Sequence, residues 1–325
     1  MEETSHRTGN QWLRITGTLL SLALLAYLLW QQDWQELWRQ VRGVSLWVWL
    51  GCFGLYFSGQ VFNALRWYTL LRSKQVQITF LECLKLILTG AFASNFLPST
   101  VGGDVLRVMG SQPFTGSYTL SLASVLLDRG LNVFAMLATL PFSFFTFTAP
   151  DVHLDFNQQL SSAPALGLPA FRRMLEKALK KFKDALLLWF NQPRVLAAAL
   201  VISWLSVLVI FAGNTILAHH LGMPVKFYQV VGVNAITYLL TLLPITFNGY
   251  GVREVLITTL YVALGGSLEQ AASLAVITRF FMLLETLPGS LWIGRYLSLI
   301  RLSKESLVSE PRLDGENGNR ELTDV

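Results

Sequence analysis

Four arginines stand inside or at the edges of long apolar runs: Arg107, Arg129, Arg253 and Arg279. A central arginine disfavours insertion of a spanning helix by about 2.5–3.5 kcal/mol, so such residues face a bundle interior or a wet cavity. Each guanidinium is permanently charged and presents a planar fork of donors that matches phosphate or carboxylate. Four acids share their surroundings: Asp104, Asp128, Glu254 and Glu285. The chemistry this set suits is the holding of an anionic head group, phosphate above all. A closed set of structural ion pairs is the alternative.

Spacing sharpens the reading. Leu97-Pro98-Ser99-Thr100-Val101-Gly102-Gly103-Asp104-Val105-Leu106-Arg107 is echoed by Leu243-Pro244-Ile245-Thr246-Phe247-Asn248-Gly249-Tyr250-Gly251-Val252-Arg253. Counted from each proline, Thr, Gly and Arg fall at the same positions, and the next helix carries a further arginine, Arg129 or Arg279. Proline ends a helix by removing a donor and clashing with the preceding turn. Glycines let the chain turn sharply and bring backbone N–H groups to a ligand. The helix that follows aims its first-turn N–H groups and positive dipole end into the gap, with the arginine about two turns in. The expected binding positions are therefore Arg107, Arg129, Arg253 and Arg279 with Asn95, Ser99, Gly102, Gly103 and Asp104 of the first copy, and Asn248, Gly249 and Gly251 of the second. Chance likeness between two helix-end loops is the competing explanation, since Leu-Pro and Gly are common there.

Charge partners follow from helix geometry. Asp128 adjoins Arg129, but neighbours in a helix point apart. Asp128 is expected to neutralise an arginine of another helix: Arg107, Arg253 or Arg279. Glu254 and Glu285 are the other cross-helix partners. Glu82 and Lys85, three residues apart, are expected to pair with each other. Arg66, in Ala64-Leu65-Arg66-Trp67-Tyr68, either snorkels to the interface or touches a lipid phosphate.

The elements that must position these residues are membrane helices. The chain is 53% hydrophobic and only 14% charged, with mean hydropathy +0.47, whereas soluble domains carry about 25% charged residues. Runs long enough for a core about 30 Å thick recur without a period of two, so helices and not a barrel satisfy the backbone. The fold class expected is all-α, a polytopic membrane bundle of about eight transmembrane helices, over 12–30, 44–71, 78–97, 120–148, 195–221, 227–247, 250–266 and 268–298. The 250–266 stretch either spans or re-enters. Trp30, Trp34, Trp47, Trp67, Trp292 and Tyr296 crowd the ends of these runs as an interfacial aromatic belt does.

Basic residues at Arg66, Arg72 and Lys74, through 149–194, and at Arg295, Arg301 and Lys304 place those stretches inside the cell. That gives a multi-pass protein of a bacterial cytoplasmic (inner) membrane with both termini cytoplasmic. The organisation expected is an N-terminus 1–11, a first membrane half 12–148, a basic insert 149–194, a second half 195–300 and a disordered tail 301–325. The run 12–30 lacks a cleavage site behind it and is taken as an anchor, not a signal peptide. With an even span count the two Leu-Pro/Gly segments lie in halves of opposite orientation, the arrangement of inverted repeats with broken or re-entrant helices. Residues 171–190 form a basic amphipathic stretch, which either lies on an anionic leaflet or serves as a connector.

At Asn95-Phe96-Leu97-Pro98-Ser99-Thr100-Val101-Gly102-Gly103-Asp104-Val105-Leu106-Arg107 the sequence resembles the lysylphosphatidylglycerol synthase transmembrane family. Leu243–Glu254 is similar to that family's second signature, and Ala64-Leu65-Arg66-Trp67 and Leu126-Leu127-Asp128-Arg129 match it too. Two departures stand out: Asn248 takes the place of a glycine, and Asp128 that of a glutamate. The resemblance implies a flippase-like module moving lipid between leaflets. No segment large enough for the aminoacyltransferase domain of bifunctional members is present, so no enzyme activity is expected. The ligand expected is a membrane phospholipid or a polyprenyl-phosphate lipid. The alternative function is a membrane enzyme or accessory factor for polyprenyl-phosphate-linked glycolipids, with Asp104, Asp128 or Glu254 as acid or base.

Other chemistries are set aside. The sequence has no Gly-x-Gly-x-x-Gly, Walker loop or His-Glu-x-x-His, so no cofactor, metal or nucleic-acid partner is expected. Cys52 and Cys83 fall in apolar runs and are read as small hydrophobes. His219 and His220 are read as residues of a helix end.

Overall fold

The computed structural model describes residues 39, 42–96, 100–147, 180–242, 251–296 and 298. The expected first span, the insert up to residue 179, the tail 301–325 and the tips of both motifs, with Ser99, Asn248 and Gly249, lie outside the described residues. Every regular element among the described residues is helical.

The first long helix among the described residues is α1, Leu46–Ser73, 28 residues whose N-cap Ser45 takes up the N–H of Trp47. A pair of shorter helices follows, α2 (Phe80–Phe96) and α3 (Thr100–Thr115). Then come α4 (Tyr118–Leu137) and α5 (Leu140–Phe147), which the turn at Ala138 and Thr139 joins into one apolar stretch of 30 residues. After a helical segment at 180–189, α6 (Pro193–His220) starts with proline at its first position, where a missing N–H is harmless. The second short pair is α7 (Phe227–Leu242) and α8 (Val252–Ala263). Last is α9 (Leu268–Leu284), opened by a reciprocal cap between Ser267 and Gln270. It continues through a 3-10 turn, Leu287–Gly289, to Tyr296.

Three helical stretches among the described residues are long and apolar enough to cross a membrane: Tyr118–Phe147, Pro193–His220 and Leu268–Tyr296. The paired helices α2, α3, α7 and α8 hold 17, 16, 16 and 12 residues. At 1.5 Å per residue they reach only about 18–26 Å, short of a core of about 30 Å. α3 lies between the expected spans 78–97 and 120–148 as the helix expected after the first motif, and its start at Thr100 puts Arg107 two turns in. α8 starts only at Val252, so Arg253 lies in its first turn, not two turns in as expected. The reason is Gly251, whose φ of +83° turns the chain immediately before the helix.

Close approach of backbones organises the bundle, as small residues allow in lipid. α1 and α6 run antiparallel: Ser206 Oγ donates to Gly59 O at 3.1 Å midway. At one end Trp189 Nε1 donates to Leu70 O at 3.1 Å. α2 and α3 fold into a hairpin around Gly90 and Gly103. A Cβ on Gly103 would stand 2.1 Å from Gly90 O, so no larger residue fits without parting the helices. Gly289 is pressed as closely on α2, where its Cβ would lie 2.2 Å from Leu88 O.

Apolar side chains fill the rest. Ala64, Trp67, Leu71, Leu86, Val108 and Tyr296 form one buried cluster. Tyr56, Leu217, Ile257, Tyr261, Leu274 and Phe281 belong to another. The segment 180–189 docks Ala185 and Trp189 against Leu70, Leu127 and Ala199. Its apolar stripe thus meets protein, while Lys180, Lys181 and Lys183 stay exposed with Leu187, Leu188 and Phe190.

Candidate functional site

α1, the α2–α3 hairpin, α4 and α7 enclose a cleft of about 210 Å³. Gly90 and Gly103 are on its wall, so the contact that closes the hairpin also shapes the cleft. Charged groups gather there: Arg66 from α1, Asp104 and Arg107 from α3, Asp128 and Arg129 from α4. Gln60, Asn63, Ser94, Asn132 and Tyr238 supply neutral polar groups.

Asp128 is the hub. Its Oδ1 accepts from Arg66 Nε at 2.6 Å and its Oδ2 from Arg107 Nη2 at 2.7 Å. All three residues are buried. Arg66 also donates to Ser203 Oγ at 3.1 Å and Asn132 Oδ1 at 3.4 Å. The Arg107 guanidinium lies over the Trp67 ring, 4.4 Å from its centroid, a favourable placement for a cation on a π face. Arg107 Nε is buried without an acceptor in the structure.

Asp104 pairs with Arg129 and lies 3.6 Å from Arg107 Nη1. Arg129 is 48% exposed and stands at the lip, whereas Arg66 is 3% exposed. Three guanidiniums thus face two carboxylates, an excess of one positive charge in a wall of apolar helices.

The second motif builds a separate cluster. Arg279 Nε donates to Glu254 Oε1 at 2.6 Å, and Gly251 N–H donates to Glu254 Oε2 at 2.8 Å. Arg253 Nη1 reaches Thr278 Oγ1 at 3.4 Å and stands 4.0 Å from Glu254 Oε1. None of these residues lines the cleft. The four arginines expected at one site therefore divide into two groups, because Asp104 and Asp128 hold Arg107 and Arg129 whereas Glu254 holds Arg279 and stands beside Arg253.

Other expected positions resolve as follows. Gly103, Asp104, Arg107, Asp128 and Arg129 come together at the cleft. Gly102 sits in the first turn of α3 and is not on the cleft wall. Asn95 Nδ2 donates to Thr286 Oγ1 at 2.9 Å, joining α2 to the end of α9. Of the arginines expected to neutralise Asp128, Arg107 does so and Arg253 and Arg279 do not. Among the described residues Glu285 meets no arginine; it accepts from Gln60 Nε2 at 2.9 Å. Glu82 and Lys85 pair at 2.8 Å.

Arg66 is the residue that sequence reading undervalued. It does not snorkel, because Asp128, Asn132 and Ser203 hold it in the interior. Cys52 and Cys83 are buried free thiols. Among the described residues no group of His, Cys, Asp and Glu is arranged to hold a metal.

A helical bundle with membrane-length apolar stretches and a charged internal cleft is the architecture of a multi-pass membrane protein. The chain belongs to the family of the lysylphosphatidylglycerol synthase TM region, which it matches over residues 14–289. It is similar to the UPF0104 membrane protein PH1989 of Pyrococcus horikoshii, with 23% identity over 303 residues covering 78% of this chain and 87% of the relative.

Proposed function

We propose that the chain is a flippase-like lipid translocator whose cleft holds a phosphate-bearing head group. The observation that carries this reading is the excess of guanidinium over carboxylate in a cleft between membrane helices, with Arg129 at the lip. Arg107 and Arg129 bind the phosphate, Arg66 and Asp128 fix Arg107 from behind, and Gln60, Asn63 and Asn132 take up hydroxyls or amides of the head group. The two halves move in opposite senses as inverted repeats. This is supported by a shared spacing: Asp104 with Arg129 and Glu254 with Arg279 are each 25 residues apart. In a bacterial cytoplasmic membrane the basic segment around Lys180 and Arg194 then faces the cytoplasm with both termini.

The enzyme alternative finds less support, since both cleft carboxylates are engaged by arginines and neither is placed as a free acid or base.

The test is leaflet exchange of labelled phosphatidylglycerol and of a labelled polyprenyl phosphate in proteoliposomes. Removing a hydrogen bond to a charged group weakens binding by about 1.5–3 kcal/mol, so Arg129→Ala should slow exchange about tenfold or more. Arg253→Ala should leave it unchanged if it folds. Absence of native exchange for both lipids overturns the reading, and indifference to Arg129→Ala overturns the site.

A further inference from the structure

Glu285 stands apart from the ion pairs. It lies near the centre of the stretch Leu268–Tyr296, at the C-terminal end of α9, where the helix gives way to the turn Leu287–Gly289. It is 5% exposed. One carboxyl oxygen accepts from Gln60 at 2.9 Å, and the other is buried with no partner in the structure.

The groups around it supply no counter-charge. From α1 come Gln60 and Tyr56, and the hydroxyl of Tyr56 donates to Asn214 of α6. From α8, Arg253 stands 4.0 Å from Glu254 Oε1. On its own helix Arg279 is committed to Glu254. From α2, Asn95 binds Thr286 and carries no charge. Among the described residues no Lys, Arg or His stands within ion-pair distance of Glu285. A helix C-terminus adds the negative end of the dipole. A carboxylate there would be a buried charge without a counter-ion beside a like-signed dipole end.

The position is also mechanically connected. Gln60 is on the wall of the cleft, so Glu285 is one hydrogen bond from the proposed head-group site. The turn that follows is locked on α2: Thr89 Oγ1 donates to Gly289 O at 3.2 Å, and Asn95 reaches Thr286. Loss of a proton at Glu285 would place an unpaired charge at this junction, which opening the turn to water relieves. Opening the turn shifts α2, and with it the hairpin wall that Gly90 and Gly103 build.

We propose that Glu285 is a proton-binding site that couples proton movement to translocation through the cleft. This rests on the translocator reading, and it names the coupling ion. The carboxyl gives up its proton when the break in the last span opens toward one aqueous side. It takes one up again before the turn closes.

The experiment reconstitutes the full chain into vesicles of phosphatidylcholine with labelled phosphatidylglycerol and imposes a pH gradient of about one unit. With one proton per lipid, such a gradient sustains a leaflet ratio of about tenfold. Native protein should reach it, whereas Glu285→Gln should still exchange lipid but settle at the ratio seen without a gradient. Native exchange that ignores the gradient, or a Glu285→Gln variant that still responds to it, overturns the proposal and leaves translocation standing. If the native chain exchanges neither this lipid nor the labelled polyprenyl phosphate, the translocator reading fails and infrared titration decides the proton site on its own. A protonated-carboxyl stretch that titrates in the native chain and vanishes in Glu285→Gln supports it, and its absence overturns it.

Discussion

Asp128→Asn tests the physical account of the cleft most directly. The carboxylate holds two guanidiniums at 2.6 and 2.7 Å, and the three side chains are between 2% and 8% exposed. Removing one partner of a buried ion pair destabilises by about 3–5 kcal/mol, since the remaining charge is uncompensated. Three features place this case at the low end of that range. Asparagine keeps one acceptor oxygen, Arg66 retains Asn132 and Ser203, and Arg107 retains Asp104 at 3.6 Å and the Trp67 face. The expected loss is about 3 kcal/mol, or roughly 150-fold in the folding equilibrium. Reversible unfolding in mixed detergent and SDS micelles measures it. Asp104→Asn is the control, because its partner Arg129 is half exposed and such pairs contribute only about 0–1 kcal/mol. The double variant Asp128→Asn, Arg66→Gln should recover part of the loss by removing one orphaned charge. A loss below about 1 kcal/mol, or one equal to that of Asp104→Asn, would refute the hub.

Further outcomes follow from packing and from the division of the arginines. Gly103→Val should prevent the α2–α3 hairpin from closing and lower thermal stability in detergent, since its Cβ has no room beside Gly90 O; Gly54→Ala, with nothing within 4 Å, should be neutral or slightly stabilising. Trp189→Ala should destabilise by about 3–5 kcal/mol, seen as faster proteolysis of the segment around 180–190, because a fully buried ring and its two hydrogen bonds are lost. Glu254→Gln should reduce stability, measured by the same micelle unfolding, while leaving phosphate-lipid affinity in native mass spectrometry unchanged, since Glu254 is not on the cleft wall.

Much of this was legible in the residues. Arginine inside apolar runs forecast a charged interior, and the Leu-Pro and glycine pattern marked where helices are interrupted. Arg66 was obscured by its neighbours Trp67 and Tyr68, which look like an interfacial belt. Its partners Asp128 and Ser203 are 62 and 137 residues away, a distance no local pattern spans. The separation of Arg253 and Arg279 from the cleft was hidden by aligning the motifs on their prolines. The spacing of 25 residues from Asp104 to Arg129 and from Glu254 to Arg279 gives each half its own ion pair. Gln60 as the partner of Glu285 carried no signal, because a neutral amide in an apolar run points to no particular acid.

The two native thiols have a practical side. Cys52 and Cys83 are 1% and 0% exposed, so water-borne maleimides should leave the folded chain unlabelled. The natural sequence is then already a silent background for reporter chemistry. A single cysteine placed at Ser94 or Val133 on the cleft wall would report, by which face of the vesicle lets the reagent in, the side to which the cleft is open at that moment.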